Sequence, residues 1–270
     1  MKIQTLTISG TKEDEIELPI IFSTPFRKDL IHKAVIHLTT NRFQRQGRHP
    51  TAGQDVVADS NNPPTGQGRA RIARLRGGGG GRQGEAGEVA MTRGGRQAHP
   101  PTSEKVVVKK LNKKENKLAL CSAIAATSSK QLVESRGHIL DKIEAFPIVV
   151  SDDIEKISTA SEMKKLLSKL NLTPDVNRLL SRKARSGKSA LRGRATKTGR
   201  SVLFVTKDSS RLSKACGAFP GVEVCSVKNL SVLDLAPGAV PIRLTVYSKS
   251  AIEEISKIKS IHLELMVKLK

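Results

Sequence analysis

The chain has 270 residues, and its 47 lysines and arginines against 25 acids give a formal charge of +22, which selects a polyanionic partner. That length accommodates one large domain or two small ones with a real core. Cys121, Cys216 and Cys225 lack metal-type spacing and read as reduced thiols, and no run approaches the roughly 18 apolar residues that would span a membrane. The opening Met1-Lys-Ile-Gln-Thr5 has no apolar leader, so a cytoplasmic protein is expected.

Lys2 to Ser9 alternates apolar and polar residues, turns at Ser9-Gly10-Thr11, and is followed by an extended Glu15 to Pro19, which predicts a short hairpin. Thr24-Pro25 is expected to cap and start a helix with Leu30, Ile31, Ala34, Val35 and Leu38 on its apolar face, ending near Arg42. Asn112 to Glu115 predicts a reciprocal cap for an alanine-rich helix through Ala119, Ala123 and Ala126. Pro147 to Ser151 reads as a buried strand, and Thr159 to Glu162 opens a helix with Met163, Leu166, Leu167 and Leu170 on one face. Val202–Val205, Val222–Cys225 and Leu244–Tyr247 read as strands, Arg211–Ala218 as a short helix, and Ser250 to Glu253 as the capping box of a last helix. Strands alternating with helices of about ten residues predict an α/β fold with a mostly parallel sheet flanked by helices.

The charge falls in two blocks. Residues 42–99 hold ten arginines, thirteen glycines and no lysine, with almost nothing to fill a core. Such a segment predicts a long internal loop that takes its order from nucleic acid, arginine suiting bidentate phosphate contact and glycine close backbone approach. Residues 177–200 carry nine basic side chains and no acid: Arg178, Arg182, Lys183, Arg185, Lys188, Arg192, Arg194, Lys197 and Arg200. They read as a second RNA-binding segment. Phe43 is the sole aromatic residue in either block, so phosphate and ribose contacts in folded RNA fit better than stacking platforms for single strands.

Enzyme signatures fail on context. Gly79, Gly81 and Gly84 match a dinucleotide fingerprint literally, with Glu104 beyond, but arginine-rich flanks replace the required strand and helix. Gly187-Lys-Ser189 resembles the end of a phosphate-binding loop, yet Arg182 stands where its first glycine belongs. His32 and His37 are one residue off a ligand pairing, which favours a polar helix edge or a backbone hydrogen bond. Asp152-Asp153 follows a strand end without a completing constellation and fits a solvated loop or helix cap. No catalytic residue, metal or cofactor is expected.

Thr65-Gly-Gln-Gly-Arg-Ala-Arg71, Arg93-Gly-Gly-Arg-Gln-Ala-His-Pro-Pro101, Ser122-Ala-Ile-Ala-Ala-Thr127 and Leu235-Ala-Pro-Gly238 resemble the universal large-subunit ribosomal protein four family, closest to its archaeal and eukaryotic branch in an archaeal-length form. The resemblance implies one α/β globular domain over 1–270 with an rRNA-penetrating loop, 42–101, inserted in it, whose tip reaches the wall of the nascent-peptide exit tunnel. Carried onto this chain, the tip comprises Gly66, Gln67, Gly68, Arg69, Ala70, Arg71, Arg74 and Arg76, with Arg82 close behind. Arg42, Arg45, Arg48, Arg93, Arg96 and His99 fall on the flanks. The implied partners are large-subunit rRNA, neighbouring large-subunit proteins and the nascent polypeptide, with no membrane and no small-molecule substrate. Leu263 to Lys270 lies outside these motifs and reads as a lineage-specific tail. The rival reading is an architectural protein that binds nucleic acid without specificity.

Overall fold

The computed structural model describes residues 2–55, 58–59, 66, 68, 70–76, 81–140, 143, 145–181, 184–197, 199–240 and 242–268, with backbone alone at 261, 262, 266 and 268. Two compact units emerge, one formed by Met1–Thr39 with Lys110–Lys270 and the other by Thr40–Lys109.

In chain order, strands β1 (Lys2–Leu6) and β2 (Lys12–Glu17) precede helix α1 (Lys28–Thr39). The two-residue strands β3 (Ala58–Asp59) and β4 (Arg74–Leu75) belong to the second unit. Next come α2 (Lys113–Ala126), α3 (Lys130–Ser135), β5 (Ile148–Val150), α4 (Ala160–Lys169), α5 (Thr173–Leu180) and α6 (Lys188–Leu191). The chain continues through β6 (Leu203–Thr206), α7 (Ser210–Cys216), β7 (Glu223–Ser226), α8 (Val232–Leu235), β8 (Thr245–Ser248), α9 (Lys249–Ser256) and α10 (Ile261–Lys268).

The sheet of the first unit runs β2-β1-β5-β8-β6-β7; the hairpin β1–β2 is antiparallel and every other pairing is parallel. The expected mostly parallel sheet is therefore present. Its pleat sorts the side chains. Val149, Leu203, Val205 and Tyr247 join one core with α1, α2, α8 and α9, while Ile148, Val150, Phe204 and Val246 join another with α4, α5 and α7. Small side chains on α2, among them Ala119, Ala123 and Ala126, let that helix approach the sheet closely.

Several boundaries differ from the sequence expectation, each for a local reason. Thr24 does not cap α1; its hydroxyl donates to Ile21 O at 2.7 Å and Cys121 O at 3.1 Å, and the helix begins at Lys28. Asn112 caps α2 by accepting from Lys114 N at 3.1 Å, but its expected partner Glu115 turns to Lys33 instead, at 2.8 Å. Ser248, rather than Ser250, caps α9 by accepting from Ala251 N at 3.2 Å. Thr159 caps α4 as expected, accepting from Glu162 N at 3.4 Å. The segment read as a tail forms α10, which sends Leu263 into the core.

Candidate nucleic-acid interface

The Thr40–Lys109 unit is built mainly from turns and backbone hydrogen bonds. β3 and β4 pair antiparallel, and Arg74 bridges to Ala86. Leu75 N donates to Glu85 O at 2.9 Å and Gly84 N to Leu75 O at 3.0 Å, pairing the two segments. Composition predicts little structure here, because few apolar side chains are available to bury. Arginine supplies what apolar contacts do not: Arg74 Nη1 donates to Gly84 O, and Arg82 Nη2 to Arg93 O, each at 2.8 Å.

At the base of this unit the two flanks meet. Arg48 N donates to Pro101 O at 3.2 Å, and its Nη1 to Gln97 Oε1 at 2.8 Å. Gly95 is required there, because a Cβ would collide with the carbonyl of Val89 and the hydroxyl of Thr92. Gly53, at φ 86°, lies against the backbone of Gly95 and Arg96.

The expected arm residues divide by what they do inside the protein. Arg48, Arg74, Arg76 and Arg82 hold the fold, the last two pairing with Asp59 at 3.1 Å and Glu85 at 3.0 Å. Arg42, Arg45, Arg71, Arg93 and Arg96 are exposed, and their guanidinium groups have no hydrogen bond or ion pair among the described residues. His99 is exposed too. Gly66, Gly68 and Ala70 are described, whereas Gln67, Arg69 and the glycines 77–80 lie outside the described residues.

The second basic segment divides the same way. Asp175, fully buried on α5, accepts from His138 Nδ1 at 3.0 Å, Ile139 N at 3.2 Å, Ser201 Oγ at 2.5 Å and Arg178 Nε at 3.0 Å. Burial alone would raise its pKa, but these donors hold it at about 2. Leu244 N donates to His138 Nε2 at 3.3 Å, so that nitrogen carries no proton and Nδ1–H is the donor to Asp175. The imidazole is thereby neutral, and burial pushes its pKa down against the pull of Asp175.

Arg178 also donates to Arg200 O at 3.2 Å, and Arg200 pairs with Glu223. The other Glu223 oxygen accepts from buried Arg243 at 2.6 Å. Arg243 further reaches Ser201 O at 2.6 Å and Gly221 O at 2.7 Å, and its pKa falls to about 9 through burial and then the charge of Arg200. Arg136, lowered to about 10 by burial and neighbouring arginines, donates to Pro237 O at 3.0 Å. His138, Arg136, Glu223 and Arg243 were not expected from the sequence; as isolated polar residues beside apolar runs they gave no pattern to read.

Beyond these tethers, Arg185, Lys188, Arg192 and Arg194 lie on the segment around α6 with no side-chain partner among the described residues. Lys197 is exposed and engaged in an interaction of its own, while Arg182 and Lys183 lie outside the described residues.

The carboxyl ends of the parallel strands, where α/β folds commonly bind ligands, are bound by the chain itself. Glu155 accepts from Lys207 N at 2.8 Å, Ser248 Oγ at 3.0 Å and Ser250 Oγ at 3.2 Å. Asp152 accepts from Ser250 N in the first turn of α9 at 2.7 Å and serves as a cap, while Asp153 makes a surface ion pair with Lys156 at 2.6 Å. His37 Nδ1 lies 2.9 Å from Lys110 O, a backbone contact. Among the described residues no group of three or more His, Cys, Asp or Glu could hold a metal, and no helix is long and apolar enough to cross a membrane.

The motif residues Ser122 and Thr127 lock α2 in place. Ser122 Oγ donates to Pro25 O at 3.1 Å and accepts from Arg27 N at 2.7 Å, while Thr127 Oγ1 lies 3.0 Å from Tyr247 OH. Leu235 is buried, and its carbonyl accepts from Arg243 N at 2.8 Å.

Fold and charge together define a strongly basic α/β protein with a separate arginine- and glycine-rich unit. The sequence profile described as Ribosomal protein L4/L1 family matches residues 16–258. Proteins named Large ribosomal subunit protein uL4 are similar over nearly the whole chain. That of Pyrobaculum aerophilum is 43% identical over 257 residues, 94% of this chain and 89% of the relative. Those of Sulfurisphaera tokodaii and Methanosphaera stadtmanae are 42% and 40% identical, covering 95% and 94% of this chain and 94% and 96% of the relatives. The chain belongs to the ribosomal protein L4/L1 family, whose role is structural and not enzymatic.

Proposed function

We propose that this protein is a structural constituent of the large ribosomal subunit in the cytoplasm, bound to large-subunit rRNA through two separate sets of cations. The observation that carries the reading is the division of arginines into tethered and unengaged. Arg42, Arg45, Arg71, Arg93 and Arg96 on one unit, and Arg185, Lys188, Arg192 and Arg194 on the other, have charges that no described residue pairs. Exposed cations without acids neutralise phosphates where RNA helices crowd. The relatives' name, Large ribosomal subunit protein uL4, supports the same assignment.

In this reading the flanks of the 42–101 loop contact rRNA, and the stretch from Gly66 to Arg76 lies at the wall of the peptide exit tunnel, beside the nascent chain. Neighbouring large-subunit proteins complete its surroundings. The protein should sediment with large subunits through high-salt gradients. Recovery in the free pool or with DNA would overturn the assignment and favour a nonspecific architectural role.

A further inference from the structure

Residues 184–197 form a preformed loop. Its base closes with Arg185 N donating to Ala195 O at 2.7 Å; within it, Leu191 N, Arg192 N and Arg194 N reach Gly187 O, Lys188 O and Ser189 O at 3.2, 3.1 and 3.0 Å. Gly187 and Gly193 bracket the turn at φ 64° and 73°, and a Cβ on either would meet no atom within 4 Å. Both ends of the turn therefore face open space. At its crest Leu191 is 87% exposed, with Lys188, Arg192 and Arg194 around it.

A leucine held in water on a hydrogen-bonded turn contributes nothing to the core and leaves its apolar surface free for a contact outside the chain. The cations beside it set the chemistry of that contact: phosphates must flank whatever Leu191 touches. A continuous RNA duplex offers phosphates but hides its base faces in the stack, whereas a bulged or looped nucleotide offers both within one side-chain length. With no aromatic residue in this loop, an aliphatic side chain is the available platform for a base.

We propose that Leu191 packs on the face of an unpaired RNA base while Lys188, Arg192 and Arg194 hold the phosphates on either side. The proposal rests on the reading of this segment as an RNA contact.

The test titrates the full chain with a short RNA duplex and with the same duplex carrying one bulged adenosine. Wild type should prefer the bulged RNA by about tenfold, the scale expected for burying one leucine. Leu191→Ser should abolish that preference without changing the slope of affinity against salt, and Leu191→Met should keep it. Arg192→Gln with Arg194→Gln should flatten the slope by up to about 0.7–0.9 log unit per lost contact and keep the preference. Equal binding of both RNAs by wild type, or an unchanged preference in Leu191→Ser, overturns the role of Leu191 while a flattened slope leaves the RNA contact standing. An unchanged slope in the double variant removes the contact and the proposal together. A Leu191→Ser protein whose RNA preference persists, but whose particles lose a neighbouring protein, would reassign Leu191 to a protein interface.

Discussion

Arg178 Nε lies 3.0 Å from Asp175 Oδ1, so a cation in the most basic stretch of the chain is fastened to a buried carboxylate of its own domain. The same carboxylate takes His138, Ser201 and the Ile139 amide, which ties α5 to the approach to β6. Arg200 and Arg243 repeat the arrangement by sharing Glu223. Charge density along the sequence therefore overstates the number of cations left without a protein partner among the described residues.

Asp175→Ala should strip four donors of their acceptor and destabilise the α/β domain by roughly 3–5 kcal/mol, the range for breaking a buried ion pair. Arg178→Gln, which leaves the other donors in place, should cost less. Neither change should flatten the salt dependence of RNA binding as Arg192→Gln is expected to. Urea unfolding beside salt titration of the same variants checks this, and an Arg178 effect confined to RNA affinity would contradict it.

Acid should act on this network in two stages. His138 has its pKa lowered in the folded state, so below pH about 6.5 the unfolded chain binds a proton that the native imidazole resists, and stability falls with pH. Asp175, held at about 2, stabilises the fold fully above the unfolded value near 3.9 and loses that contribution as pH falls from there through 2. Its share is about 2–3 kcal/mol. His138→Gln can still donate to Asp175 and accept from Leu244 N without titrating, so its stability should be flatter than wild type between pH 6.5 and 5. Identical curves for the two proteins would refute this.

Gly95→Ala should spare the α/β domain and damage the base of the arginine-rich unit, because the added methyl collides with the Val89 carbonyl. The melting of the domain should stay within about 0.5 kcal/mol of wild type. Incorporation into large subunits should fall. Normal incorporation would mean that this turn yields without cost.

Flank and tip should separate by phenotype. Replacing Arg42, Arg45, Arg93 and Arg96 with alanine removes four cations without a partner among the described residues, and mature large subunits should be depleted. Deleting residues 76–80 removes one basic side chain and four glycines, and particles should assemble with an altered response to tunnel-binding macrolides. The reverse pattern would show the tip to be misplaced.

Period and composition determined much of this protein before any coordinates. Alternation in β1, apolar runs in β5, β6 and β8, and the Leu-rich face of α4 each announce a local backbone state, because burying one face imposes a two- or 3.6-residue spacing that is visible in the chain itself. The arginine–glycine stretch was legible only as a segment too poor in apolar residues to join the core, whereas the hydrogen-bonded hairpin inside it was not. Only the tertiary structure decided the strand order, the caps taken by Ser248 and refused by Thr24, and which arginines are spoken for. Asp175 meets Ser201 across 26 residues, and Glu223 meets Arg243 across 20. Such pairings depend on where chain folding brings two polar atoms together, and a hydrogen bond leaves no periodic trace in the sequence.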